Sequence, residues 1–151
     1  MDNEKKFDLS IKQILLFLLF IILISFVTYG GVYKASFLPM GYEITEREFN
    51  SMTLEAYNLL GWKSETINLS FPDEDSWRLD AILYEVDSQK SFYWLLFTGG
   101  SISIYLLIYF IQKDSLLKAI RKSRILFTIL FPILLIYIDV NRIEELIHLS
   151  L

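Results

Sequence analysis

The stretch Ser91–Ile111, SFYWLLFTGGSISIYLLIYFI, runs for 21 residues without a charge, and it constrains the chain more than any other segment. At ~1.5 Å per residue a helix of that length covers about 30 Å, the thickness of the hydrocarbon core of a bilayer. Small and hydroxylated residues gather in its middle: Thr98, Gly99, Gly100, Ser101 and Ser103. A helix surrounded by lipid has no use for them. A helix packed on another helix does, because small side chains let two backbones approach and hydroxyls bond across the gap.

Two further apolar runs, Ile14–Tyr33 and Ile125–Ile138, are 20 and 14 residues long. The first spans a core of ~30 Å unaided. The second covers only about 21 Å at ~1.5 Å per residue, so its helix is expected to continue past Asp139 to Ile143. Pro132 in its middle predicts a kink. The expected fold class is therefore all-α: an integral membrane protein with three transmembrane helices, at 14–33, 91–111 and 125–143. The remaining segments are a polar N-terminus at 1–13, an acidic loop at 34–90, a basic connection at 112–124 and a tail at 144–151. A composition of 54% hydrophobic residues, with a mean hydropathy of +0.42, exceeds that of ordinary soluble domains.

The first run resembles the start of a signal peptide, with basic residues ahead of an apolar core. Its length and the lack of a small-x-small site (Tyr33 precedes Ala35 by two) favour an uncleaved anchor. Tyr29 and Tyr33 suit an interfacial aromatic belt, and Gly30-Gly31 marks where the helix loosens.

Within 34–90, Thr45-Glu46-Arg47-Glu48 fits a capping box. Phe49, Met52, Ala56 and Leu60 then recur on one helical face, with Gly61 placed to end it. These features predict an amphipathic helix over 46–60. Residues 63–71 alternate, Ile67, Leu69 and Phe71 against Thr66, Asn68 and Ser70, which predicts a short strand or an extended connection. Pro72-Asp73-Glu74-Asp75 suits the first turn of a helix. Leu79, Ile82, Leu83 and Val86 continue it as an amphipathic element lying on the outer surface and ending before Ser91. In the connection, Leu116, Leu117 and Ile120 share a side flanked by Lys113, Lys118, Arg121, Lys122 and Arg124, the pattern of a basic interfacial helix.

Lysine and arginine set orientation. The N-terminal segment holds Lys5, Lys6 and Lys12, and the connection holds five basic residues. The loop also holds five, diluted by eleven acids, and the C-terminal stretch from Asn141 holds Arg142 alone. Three passes with the N-terminus cytosolic put both dense basic segments in the cytosol. The expected location is the cell membrane.

The residues allow little chemistry. The three apolar runs hold no ionisable side chain, so an ion or proton pathway through this chain alone is not expected. His148 is the only histidine, and cysteine is absent. A metal site wants several ligands at fixed spacing, and no nucleophile elbow is present. Asp73-Glu74-Asp75 lacks the alternation and glycine of a calcium loop. Asn68-Leu69-Ser70 matches a glycosylation acceptor, a motif that occurs by chance. No enzyme activity, cofactor or metal is expected. The basic connection lies between membrane runs and an acidic balance prevails, so no nucleic-acid partner is expected.

The informative surface is the second run. Thr98, Ser101 and Tyr105, extended by Trp94, Tyr109 and Gln112, make a polar and aromatic stripe, while Gly99 and Ser103 form a small-xxx-small pair on an adjacent side. Thr98, Gly99, Ser101, Ser103 and Tyr105 are the candidate face for helix packing or for a partner. The partners expected are the lipid bilayer and another membrane protein or a second copy. The expected function is a non-enzymatic interaction protein, an accessory or immunity-like factor binding a membrane protein or a membrane-active peptide. The alternative is a subunit of a small oligomeric channel or transporter.

Overall fold

The computed structural model describes residues 11–72 and 75–149. Lys5 and Lys6, the acids Asp73 and Glu74, and the last two residues lie outside the described residues. The chain is mostly helical but is not all-α. Helix α1, Ile11–Tyr29, runs into a π-helical turn at Gly30–Lys34. Three strands follow, β1 Tyr42–Arg47, β2 Ser51–Tyr57 and β3 Lys63–Ser70, then helices α2 Ser76–Ile111, α3 Leu116–Ser123 and α4 Ile125–His148. Three helices, Ile11–Lys34, Ser76–Ile111 and Ile125–His148, are long and apolar enough to cross a membrane.

The loosening expected at Gly30-Gly31 takes the form of the π turn, whose wider ring these two glycines open. The helix expected over 46–60 is instead a strand pair. β1, β2 and β3 form an antiparallel sheet in that order. Ile44 opposes Leu54, and Met52 opposes Leu69. The two templates compete in this segment, and period two wins because Met52 and Leu54 can both be buried only in a strand. Phe49 and Leu60, counted toward a buried helical face, are exposed in the turns. Gly61 does not end a helix. It holds φ +75° in the β2–β3 turn, and a Cβ there would meet the Phe37 ring at 2.8 Å. Both facts demand glycine.

The strand expected over 63–71 is β3. The surface helix expected to stop before Ser91 does not stop. α2 runs unbroken for 36 residues, about 54 Å at ~1.5 Å per residue. No proline interrupts it, and its first glycine is Gly99. The reason lies in its buried residues. Leu79, Ile82, Val86, Gln89, Tyr93, Gly100 and Ser103 keep the alternating three-and-four spacing of a packing seam, with Leu96 filling the remaining position. One seam thus passes through the change from polar to apolar sequence.

The seam packs on α4, the most extensive helix–helix contact in the fold. The pair is antiparallel: Ser103 of α2 meets Thr128 of α4 at one end, and Glu85 meets Arg142 at the other. α4 runs through Pro132 and on to His148, so the tail expected at 144–151 is part of this helix as far as it is described. The sheet lays Met52, Leu54 and Leu69 over Leu79, Ile82 and Val86 of α2 and Ile143 and Ile147 of α4. That packing requires the helices to extend well beyond the apolar runs. A residue-long corner at Arg124, with φ 53°, joins α3 to α4.

Candidate functional site

The candidate face on α2 divides between two neighbours. Toward α1, the Thr98 and Thr28 hydroxyls lie 2.6 Å apart. The Trp94 indole N–H donates to the Ser25 carbonyl at 3.2 Å, four residues earlier on the same side. Tyr105 stacks on Phe17 and Phe20, with ring centroids 5.4 and 4.9 Å away. Toward α4, the Thr128 hydroxyl donates to Ser103 Oγ at 2.8 Å, and Ser103 is buried. Gly99 faces the same residue: a Cβ at position 99 would lie 3.9 Å from the Thr128 Cβ. Ser101 is partly buried. The Thr98 and Ser103 hydroxyls are thus paired across helix contacts, where water is not needed to satisfy them.

A second polar cluster lies where the sheet meets α2, and none of its members was singled out from the sequence. Gln89 is fully buried. Its amide donates to the Tyr42 carbonyl at 2.9 Å and accepts from the Tyr42 N–H at 3.1 Å. A side chain therefore completes the start of β1 as a neighbouring strand would. Gly41 lets it approach, since a Cβ there would sit 3.0 Å from Gln89 Oε1.

Next to this clamp, Glu43 of β1 stands directly opposite Glu55 of β2. Like charges so placed repel. Two lysines offset the repulsion: Lys90 of α2 reaches Glu43 Oε1 at 2.9 Å, and Lys63 of β3 pairs with Glu55. The Tyr57 hydroxyl donates to Glu43 Oε2 at 2.9 Å. Burial alone would raise the Glu43 pKa, but hydrogen bonds from Ser36, Lys90 and Tyr57 outweigh it and hold the carboxyl below its usual value. The Tyr57 phenol is pushed up to about 12, by burial first and by Glu43 second.

Toward α4, Asp139 is buried facing Ser88 and Glu85 of α2. Asp139 and Arg142 stand three apart on α4, a spacing that allows them to pair; in the structure the Arg142 guanidinium donates to Glu85 at 3.2 Å. Antiparallel packing explains the exchange, because Glu85 is presented across the helix contact at the height of Arg142. Gln89, Glu43, Lys90 and Asp139 all belong to one level of the molecule, immediately beyond the apolar runs. Gln89 had a sequence signal, a polar residue at a seam position of α2. Glu43 had none, since its meaning depends on a sheet register that the sequence does not declare.

Below this level a groove of about 310 Å³ opens between α2, α4 and the loops around the sheet. Tyr93, Leu96, Phe97, Ile133 and Tyr137 form its floor and walls, and Met40 and Leu59 its rim. The Tyr93 hydroxyl donates to the Pro39 carbonyl and fixes the loop over it. The groove offers apolar surface and no acid–base pair. Among the described residues no three histidine, aspartate or glutamate side chains are grouped to hold a metal ion. Comparison of the chain with protein-family models, with curated proteins and with solved structures finds no match in any of the three.

Proposed function

We propose that this chain is a multi-pass protein of the cell membrane, with its N-terminus cytosolic, that works by binding rather than by catalysis. Its partner is another membrane protein or a membrane-active peptide, in an accessory or immunity-like role. The observation that carries the reading is the pairing of hydroxyls inside the apolar segments, Thr28 with Thr98 and Ser103 with Thr128. Polar groups spent on one another build a scaffold, whereas a solute pathway needs them turned to a lumen. Recognition is then left to the surfaces. Glu46 and Glu48 are exposed and line, with Thr53 and Asn68, a groove of about 240 Å³ on the sheet. Such a surface favours a cationic partner through complementary charge. Nucleic acid is not a partner in this reading.

The test is binding of a lysine-rich amphipathic peptide to the full chain in mild detergent, compared with a Glu46→Lys, Glu48→Lys, Glu65→Lys variant. These side chains are exposed, so the variant is expected to accumulate like the parent and to lose peptide retention. Equal retention by both overturns the role of the acidic surface. Ion or solute flux through the reconstituted chain alone favours the channel reading instead.

A further inference from the structure

The turn between β2 and β3 is apolar and exposed. Leu59, Leu60 and Trp62 are 72, 68 and 70% exposed, and Met40 beside them 57%. Water-facing turns are built from polar residues and glycine, yet from Ala56 to Trp62 no side chain is charged. An apolar patch of this kind marks a surface that meets something other than water.

Its position along α2 says what. β1 runs antiparallel to α2, since Tyr42 is held by Gln89 while Arg47 pairs with Asp80 at 2.9 Å. β2 therefore returns toward the apolar half of α2 and delivers the turn there. The Tyr57 N–H bonds to the Gly41 carbonyl, and the Met40 N–H to the Asn58 carbonyl. Gly61 rests on the Phe37 ring, which lies 5.6 Å from the ring of Phe97. Leu59 lines the apolar groove together with Leu96, Phe97 and Ile133. Phe97 is about 9 Å past Ser91 at ~1.5 Å per residue. The turn thus reaches beyond the charged level of Glu43, Lys90 and Lys63 to the depth of uncharged helix.

We propose that residues 58–62 are embedded in the lipid leaflet on the sheet side of the membrane, with Leu59 and Leu60 among the upper acyl chains and Trp62 at the headgroup boundary. This rests on the membrane-spanning reading of α2. Phospholipid is the occupant because the turn is continuous, at one depth, with helix surface that faces lipid in that reading. Tryptophan is the residue that membrane interfaces favour, and Lys63 follows it at the level where charge resumes. The sheet is thereby held at both ends, by Arg47 against Asp80 above and by its own turn in the bilayer below.

The chain contains no cysteine, so a nitroxide can be placed at single sites in the full protein reconstituted in phosphatidylcholine vesicles. Leu60→Cys is the test position, Ile104→Cys on α2 the bilayer reference and Glu65→Cys on β3 the aqueous reference; all three side chains are exposed. Collision with oxygen, relative to collision with a water-soluble nickel chelate, is expected to be high at Leu60 and Ile104 and low at Glu65. A low ratio at Leu60 with a high ratio at Ile104 overturns the embedding and leaves the spanning helix intact. Weak collision with both reagents at Leu60 also overturns it, since protein then covers the turn. An aqueous ratio at Ile104 removes the spanning reading, and the proposal with it.

Discussion

Gln89 is the residue on which the join between sheet and helix turns. It is buried at a seam position of α2, and both hydrogen-bonding groups of its amide are spent on the backbone of Tyr42. Gln89→Leu keeps most of the volume but leaves an amide N–H and a carbonyl without partners. Such loss costs about 1–3 kcal/mol. Thermal unfolding in detergent should show the drop, and Gln112→Leu at the exposed far end of α2 should show almost none. Equal effects at the two positions would remove the special status of Gln89. The residue was visible in the sequence only as a polar interruption, because glutamine beside Lys90 is the ordinary composition of a helix approaching water. Its role depends on a strand formed 47 residues earlier, and no local pattern carries that information.

At the scale of elements, the apolar runs were legible and their ends were not. Helix length in α2 and α4 is set by the seam between them, and the seam ignores hydropathy. Leu79, Ile82 and Val86 have the same three-then-four spacing as Tyr93, Leu96 and Gly100, so the periodic signal for one continuous helix was present on both sides of Ser91. Hydropathy divided it because charge returns ahead of Ser91, with Asp80 and Lys90 paired to the sheet and Glu85 to Arg142 of α4. β1 and β2, unlike β3, depart from the sequence pattern for another reason. Phe49, Met52, Ala56 and Leu60 fit a helical face by spacing, and only the burial of Met52 and Leu54 together separates the alternatives. The same contact between α2 and α4 yields a prediction. Gly99 has room for a methyl, with Thr128 Cβ 3.9 Å from the Cβ position. Gly99→Ala is therefore expected to be tolerated, with a helix-propensity gain of up to ~1 kcal/mol. Gly99→Ile forces a branched chain into that contact at a cost of about 1–3 kcal/mol. Membrane accumulation and melting of the two variants check this; an isoleucine variant as stable as the parent would mean that α2 and α4 do not meet closely at Gly99.

For the whole molecule, three lengthened helices and a sheet make a body with a charged level between two halves. The uneven distribution of lysine and arginine predicts how that body sits. Reporter fusions after Asn68, Ser115 and Leu151 are expected to read outside, inside and outside. A fusion after Leu151 that reads inside would make the third helix re-entrant, and the reverse pattern throughout would invert the orientation. The candidate face on α2 was readable because small and hydroxylated residues are conspicuous among leucines. The apolar turn at Leu59, Leu60 and Trp62 was equally plain as composition. Its place beside Phe97 was not, because a loop 57 residues long offers no measure of depth until its strands are paired.

The unbroken course of α2 also has a mechanical consequence. In the membrane-spanning reading, a helix gripped along one half by the sheet and surrounded by the bilayer along the other is a lever. A push on the sheet cannot be absorbed at the bilayer surface, because the rod has no joint there. It emerges at the opposite end as a swing of α3 and of the corner at Arg124. α1 is bonded to that lever through Thr28 and Ser25, so the π turn at Gly30–Lys34 is the joint between the helices and the loop that leads to the sheet.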